Sequence, residues 1–430
     1  MIVEKDIARL SIGSYVVAIV KQQGTHQLKH QGWVRNLRII EKLIELGVER
    51  VSIDTSKVLP KESEKVDDSS DSQDKEFKKE PTTEADKFLQ KSKKADIQLD
   101  EKKSASNRSS KTTNENRVKS LKHAKSLFNE AKQIQKQIFD DILIGRQVDL
   151  QAVRDITKQT TKTIFDNPDA LACIINIRAK DDYLLEHSAS VSILITIFSR
   201  YLKLDKQLSE ELAIGAFLHD VGKIKIPDAI LSKPGKLTES EFETMKTHVN
   251  HSVQIITETP GISNLSLSVA ASHHEKLDGS GYPQGLRSNN ISQYGRMITI
   301  CDIYDALTAD RVYKNGLAQV KSFSILLKMA EKNMLDSSLV NQFIKCMGVY
   351  PVGSLVKLKS NKLAVVEERN ADDPIRPKVK TFYNVSQNHF IGSKEINLAD
   401  DNNEQIVKGV RANEFNLDMN KIFEFLVMDG

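Results

Sequence analysis

Cysteine is scarce in this 430-residue sequence: there are three, Cys173, Cys301 and Cys346, odd in number and far apart. That pattern excludes a disulfide framework and a zinc knuckle and points to a reducing compartment. No apolar run approaches the length that spans a bilayer. Glu4 and Asp6 stand where a secretory signal would need an apolar stretch, so a cytoplasmic protein without a membrane segment is expected. Neither sign of charge prevails, because 62 Lys and Arg against 58 Asp and Glu leave a net charge of +4. A nucleic-acid polymer is therefore set aside as a partner. Also missing are a glycine-rich phosphate loop of Walker or Rossmann spacing and any internal repeat at solenoid periods.

What is present is enough apolar residue, 39%, to bury a core in a chain longer than one ordinary domain. Residues 1–59 read as a small α/β accessory domain, with an apolar strand at Tyr15 to Val20, an amphipathic helix and a short strand around Val51 to Ile53. Asn36 can cap that helix, Leu37, Ile40, Leu43 and Ile44 recur at helical spacing, and Gly47 suits a left-handed exit. Residues 60–117 turn to Lys, Glu, Asp, Ser and Thr, too polar to offset ordering entropy, and are expected to be a disordered linker with a transient helix near Phe88. Helical periodicity over 118–348 marks the catalytic candidate. Over 349–430, short β-branched runs at Leu355 to Leu358, Leu363 to Glu367 and Lys380 to Val385 predict a small β-rich C-terminal appendage. The fold class is mainly α.

Six of the ten histidines fall between His187 and His274, and five of them form a series with acidic company: His187, His219 with Asp220, His248, His273 with His274, then Asp302. Imidazole and carboxylate without thiolate suit iron, manganese or zinc, and seven candidate ligands exceed what one tetrahedral ion requires. Two ions sharing a bridging carboxylate explain the number better. Taken singly, each histidine reads more simply as a hydrogen-bonded core residue, and His187 does stand above Val191, Leu194, Ile195 and Phe198. Taken together, so many buried polar groups without a metal would cost about 1–3 kcal/mol for each one left unpaired, which reverses the choice.

The run His219-Asp220-Val221-Gly222-Lys223 with Ile226-Pro227, and the run His273-His274-Glu275-Lys276-Leu277-Asp278-Gly279-Ser280-Gly281-Tyr282-Pro283, closely resemble the HD-GYP phosphodiesterases. The same order continues through Lys233-Pro234-Gly235, Leu237-Thr238, the His248 segment, and Asp302-Ile303-Tyr304-Asp305-Ala306-Leu307-Thr308 followed by Arg311, Tyr313 and Lys314. Together these elements cover about residues 180–348. The resemblance implies an HD-superfamily helical bundle and a bacterial metal-dependent hydrolase of cyclic di-GMP, giving linear pGpG or GMP, with two divalent ions, iron or manganese. His187, His219, Asp220, His248, His273, His274 and Asp302 match the ligand positions, with Asp220 as the bridge. Lys223, Tyr282, Arg311 and Lys314 match positions that hold phosphates and guanines, and Asp220 and Lys223 are the catalytic candidates.

The residues leave some roles open. Lys223 lies one helical turn past His219 and Asp220 and can reach a phosphate oxygen, yet that spacing is also that of a structural salt bridge. Arg311 and Lys314 can clamp phosphates or form a solvated charged face. The glycines flanking Ser280 allow close backbone approach to a ligand, and Tyr282 can stack on a base. Asp305 shares a helix face with Asp302 and can orient a ligand imidazole; Glu275 and Asp278 can do the same or be exposed. His26, His30, His123 and His389 have no acidic neighbours and receive no role, and His251 is expected near the site without being a ligand. Where many relatives read His-Pro, this chain has His248-Val249, and Tyr183 stands where some members place a glutamate for a third metal, so two ions are expected. Two alternatives remain: hydrolysis of 3',3'-cyclic GMP-AMP, or a catalytically slow cyclic dinucleotide receptor. A homodimeric or signalling partner is expected through the N-terminal domain or the linker.

Overall fold

Alternating apolar residues near the N-terminus build a small antiparallel sheet. In this computed structural model residues 2–7, 10, 14–22, 32–34, 40, 43, 44, 47–55, 110–177, 183–310, 315–370 and 372–428 are described. They fall into two units, Met1–Lys79 and Glu80–Gly430. The first unit holds β1 (Ile2–Asp6), β2 (Tyr15–Gln22), β3 (Gly32–Trp33) and β4 (Val48–Asp54) in the order β1-β4-β2-β3. Val16, Val48, Val51 and Ile53 bury one face against Ile7, Val34 and Ile40. The two expected strands lie within β2 and β4. β1 escapes sequence reading because only its first two residues are apolar; its Asp6 is tied instead to Arg50 of β4 at 3.0 Å. Ile40, Leu43 and Ile44 are helical, and Gly47 leaves at φ +74°. The proposed cap Asn36 and Leu37 lie outside the described residues, as does the segment around Phe88.

Among the described residues the second unit opens with α1 (Ser110–Leu143), so the end of the expected linker, from Ser110 to Arg117, is helical. Once downstream turns pack through Leu121, Ala124, Leu127 and Phe128, extending a nucleated helix costs little even through polar residues. Then come α2 (Leu150–Asp166), α3 (Pro168–Ile177), α4 (Tyr183–Tyr201), α5 (Lys206–Leu218), a 3-10 turn at Val221–Lys225, α6 (Asp228–Leu231), α7 (Glu239–Lys246), α8 (His248–Thr257) and α9 (Asn264–Ser272). α10 (Gln293–Thr308), α11 (Gln319–Glu331) and α12 (Ser337–Met347) complete the bundle. Starts are set by side-chain caps: Asp149, Asp205, Ser263, Ser292 and Asp336 each accept a first-turn N–H, as short polar caps do.

α4 is the central rod. Every residue from Glu186 to Ser199 is buried, as expected of a helix that is apolar on most sides. Its Thr196 and Ser199 satisfy their hydroxyls on the carbonyls of Ser192 and Ile195, each at 2.7 Å. Burial of Leu194, Ile195 and Phe198 contributes about 1.5–3 kcal/mol each. Gly222 allows the turn after α5 to lie on α8: a Cβ there would stand 2.2 Å from the His248 carbonyl oxygen and 2.3 Å from the Ser252 nitrogen.

Beyond Gly348 the chain forms β5 (Leu355–Leu358), β6 (Lys362–Glu368), β7 (Lys378–Asn384), β8 (His389–Asn397) and β9 (Ile406–Val410), an antiparallel sheet in the order β8-β7-β6-β5-β9. The expected runs fall in β5, β6 and β7. β8 and β9 lack a clean apolar alternation and are recognisable only by their pairing. The chain then forms one more helix, α13 (Met419–Met428). Val356, Leu363, Val365, Val379, Ile422 and Leu426 belong to the same apolar core as the bundle, so the secondary structure changes near residue 348 inside one core. The three cysteines are buried and free, and among the described residues no helix is long and apolar enough to cross a membrane.

Candidate metal centre

Helix ends and two buried helix faces converge on one point of the bundle. α4 supplies His187, the C-terminus of α5 supplies His219 and then Asp220, the first residue of α8 is His248, the C-terminus of α9 supplies His273 and then His274, and α10 supplies Asp302 and Asp305. Ending a helix at a histidine lets the next residue swing away from the helical path, which is how two neighbouring ligand candidates reach one cluster.

Three of these rings are oriented by the same device. Nδ1 of His219, His248 and His273 lies 2.6, 2.7 and 2.6 Å from the carbonyl oxygens of Ala216, Met245 and Ala270, each three residues earlier. A carbonyl can only accept, so Nδ1 carries the proton and Nε2 presents its lone pair to the centre. His187 is held from both sides, with Nδ1 2.7 Å from Asp305 Oδ2 and Nε2 2.9 Å from Asp302 Oδ1. His274 offers Nδ1, 3.4 Å from Asp302 Oδ2.

Asp220 stands between two groups. Its Oδ1 is 3.3 Å from His248 Nε2 and 3.7 Å from His273 Nε2, whereas its Oδ2 is 3.5 Å from His187 Nε2 and 3.4 Å from His219 Nε2. His248, His273 and His274 bring ligand atoms within 4.8 Å of one another, as do His187, His219 and Asp302, and as do His219, Asp220 and His273. His219 Nε2 and Asp220 Oδ1 are buried without a hydrogen bond. Polar atoms so placed are normally satisfied, and a cation would satisfy both.

The protonation states fit that donor set. Burial pushes Asp220 upward, but the Lys223 ammonium, foremost, and His219 hold its carboxyl well below the ordinary range. Asp302 is likewise lowered against its burial, chiefly by the hydrogen bond from His187. Burial lowers His274 to about 3 despite Asp302. Burial foremost, with other imidazoles crowded against it, keeps His273 well below its usual value. His187 goes the other way: burial disfavours its charge, yet hydrogen bonds to Asp302 and Asp305 raise it to about 9. A cation bound by Asp302 would displace that proton. Imidazole nitrogen and carboxylate oxygen without sulfur suit a first-row divalent ion.

All seven ligand candidates are thus brought together, and Asp305 lies behind His187. The Lys223 Nζ reaches Asp220 Oδ2 at 2.5 Å and is 16% exposed, so it makes the short-range ion pair and keeps part of its surface in water. The Tyr282 ring lies 4.7 Å from the His274 ring and 6.3 Å from that of His248, and burial raises its hydroxyl well above the usual value. A cavity of about 390 Å³ beside these residues is lined by His274, Lys276, Tyr282, Asp302, Leu307 and Asn315, among others. Arg311 and Lys314 lie outside the described residues, as do His26 and His30. His251 lines a different groove with Arg146 and Lys225.

Glu275, left open between an orienting and an exposed role, is buried. Its two carboxylate oxygens accept the N–H groups of Gln284 and Leu286, each at 2.8 Å. Those bonds close the loop that carries Tyr282. Asp278 is exposed and instead bonds Ser280 N–H and hydroxyl at 3.0 and 2.7 Å. Glu186 was missed altogether: it is buried next to His187 and takes the Lys132 ammonium of α1 at 2.8 Å. No sequence signal links two residues so far apart. Gly281 is required by space, since a Cβ there would stand 2.4 Å from the Lys276 nitrogen.

Comparison with known proteins gives matches over both units. Residues 172–339 match the HD domain family, and residues 2–153 match a domain of unknown function (DUF3391), which extends through α1. The chain is 34% identical over 279 residues to the cyclic di-GMP phosphodiesterase PA4108 of Pseudomonas aeruginosa, covering 65% of this chain and 67% of that protein. It is 37% identical over 161 residues to 3'3'-cGAMP-specific phosphodiesterase 3 of Vibrio cholerae, covering 36% of this chain and 35% of the relative. It is 39% identical over 136 residues to a cyclic di-GMP phosphodiesterase of Thermotoga maritima, with coverages of 31% and 37%. The match spans about two thirds of the first of these proteins and little more than a third of the other two.

Proposed function

From the premise that this chain belongs to the HD-GYP phosphodiesterases, a family of HD-domain hydrolases, we propose that it hydrolyses cyclic di-GMP to pGpG or GMP at a two-ion centre. One observation carries the reading: the two oxygens of Asp220 face two separate histidine groups, Oδ1 toward His248 and His273, Oδ2 toward His187 and His219. One set would hold an ion with His187, His219 and Asp302, the other with His248, His273 and His274, and Asp220 would bridge them. Iron or manganese is the proposed pair, on the grounds of a nitrogen and oxygen donor set. When bound, two such ions supply a nucleophile at neutral pH and stabilise the charge of the phosphoryl transition state.

The chain's own residues do the rest. Nδ1–H bonds to carbonyls fix three imidazoles so that no ring turns as a phosphate arrives, and Asp305 holds the fourth. Lys223, beside Asp220, takes a nonbridging phosphate oxygen, and Tyr282 stacks on a base in the cavity beside His274. Arg311 and Lys314 are proposed as phosphate ligands on motif resemblance. Buried free cysteines support a reducing, cytoplasmic setting.

The test is Asp220→Ala, purified anaerobically with iron or manganese and assayed for metal content and cyclic di-GMP cleavage. Both should fall together, and full activity would refute the bridging assignment. The likeness to a 3'3'-cGAMP-specific phosphodiesterase supports a second reading, in which the mixed dinucleotide is the better substrate; parallel assays with the two dinucleotides decide. Tight binding of either without turnover would make the protein a receptor.

A further inference from the structure

Beside Tyr282 stands an exposed aromatic, Phe242, to which the proposed reaction gives no part. α7 is a short helix with a rigid start. Thr238 Oγ1 accepts Glu241 N–H at 3.3 Å, the Glu241 carboxylate accepts Thr238 N–H at 2.7 Å, and the Lys233 ammonium sits on that carboxylate at 2.5 Å. This helix presents Phe242 with 46% of its surface in water. The Phe242 ring is 6.2 Å from that of Tyr282 at an interplanar angle of 84°, so the two rings form a right-angled corner. Lys246, one turn on, places its Nζ 5.5 Å from the centre of the Phe242 ring and 5.9 Å from that of Tyr282. Its position is held by Glu243 at 2.6 Å, and it is 27% exposed.

A chain of rings therefore runs outward from the ligand cluster, from His274 through Tyr282 to Phe242, with an ammonium beside the outer two. A cyclic dinucleotide has two purines and two phosphates. When one phosphate occupies the histidine cluster, the other nucleotide must lie several ångströms away, and the Tyr282 side is where rings and a cation stand together. We infer that Phe242 and Lys246 hold this second nucleotide, Phe242 by stacking on its base and Lys246 by pairing with its phosphate. The inference deepens the proposed function and rests on it. Every purine offers a π face, so the stack tolerates guanine or adenine, and the pair selects for a dinucleotide over a smaller diester.

The experiment compares kcat/KM for cyclic di-GMP and for bis(p-nitrophenyl) phosphate, which has no second nucleotide, in wild type, Phe242→Ala, Phe242→Trp and Lys246→Gln. The ratio of the two values should fall about tenfold in Phe242→Ala, equivalent to about 1.4 kcal/mol, through KM for the dinucleotide. Phe242→Trp should restore it, because a larger ring stacks at least as well, and Lys246→Gln should lower it. An unchanged ratio in Phe242→Ala overturns the inference, as does equal loss on both substrates without rescue by tryptophan, the behaviour of a ring that merely braces the Tyr282 loop. A wild-type protein that cleaves the small diester and no cyclic dinucleotide overturns the proposed function together with this inference, whereas an indifferent Phe242 overturns this inference alone.

Discussion

Replacing Asp305 by Ala tests whether the centre depends on groups behind the ligands. Asp305 is buried, and its Oδ2 lies 2.7 Å from Nδ1 of His187, whose Nε2 faces Asp302 and Asp220. With a cation at Nε2, Nδ1 must carry the proton, and Asp305 is the acceptor that fixes it there. Removing the carboxylate takes away the acceptor that fixes this proton and weakens the orientation of the ring. A hydrogen bond to a charged partner contributes about 1.5–3 kcal/mol, and with a tenfold change per about 1.4 kcal/mol the predicted loss is about 10- to 100-fold in affinity for one ion. That range agrees with the effect of removing the partners that orient metal ligands. The loss should be confined to the ion held by His187, His219 and Asp302. Metal retained against rising chelator, read by elemental analysis, should therefore show two phases in Asp305→Ala, one near the wild-type midpoint and one displaced by about one to two decades. Asp305→Asn keeps an oxygen without the charge and should fall between them. Circular dichroism checks that each variant is folded. A retention curve for Asp305→Ala that overlies the wild type would refute the argument that this carboxylate sets the ring.

Two further outcomes follow from packing and charge. Gly222→Ala should lower stability by about 1–3 kcal/mol or more, the range of overpacking, because the added methyl meets the backbone of α8 rather than a movable side chain. Thermal unfolding checks this, and metal content should fall in parallel since α8 begins with His248. Glu211 of α5 accepts Ser263 and Ser266 hydroxyls at 2.6 and 2.8 Å and Arg154 at 3.2 Å. Burial opposes this, yet those donors hold its pKa below the ordinary 4.5. A carboxyl lowered on folding stabilises above its unfolded pKa and loses that contribution as pH falls through the folded one. The gap in Tm between wild type and Glu211→Gln should therefore be open at neutral pH and close on acidification; a gap independent of pH would deny Glu211 this role.

The sequence by itself determined the donor set of the candidate centre. Histidine and aspartate without thiolate, clustered between His187 and Asp302 and ordered as in the HD-GYP motifs, named every ligand candidate that the bundle brings together. It also determined the helical character of 118–348 and the strands whose apolar residues alternate, β2, β4, β5, β6 and β7, because periodicity is written in single residues. Tertiary structure alone decided what depends on partners far along the chain. It made Asp220 face two histidine groups, buried Glu275 to close the Tyr282 loop, and set Lys132 against Glu186 fifty-four positions away. It recruited the polar start of α1 into a helix and placed β8 and β9 by pairing, since their own sequences bury too little to specify a strand. A residue's type states what it can bind, but the distance and direction of its partner are properties of the packed core, where several elements must agree at once.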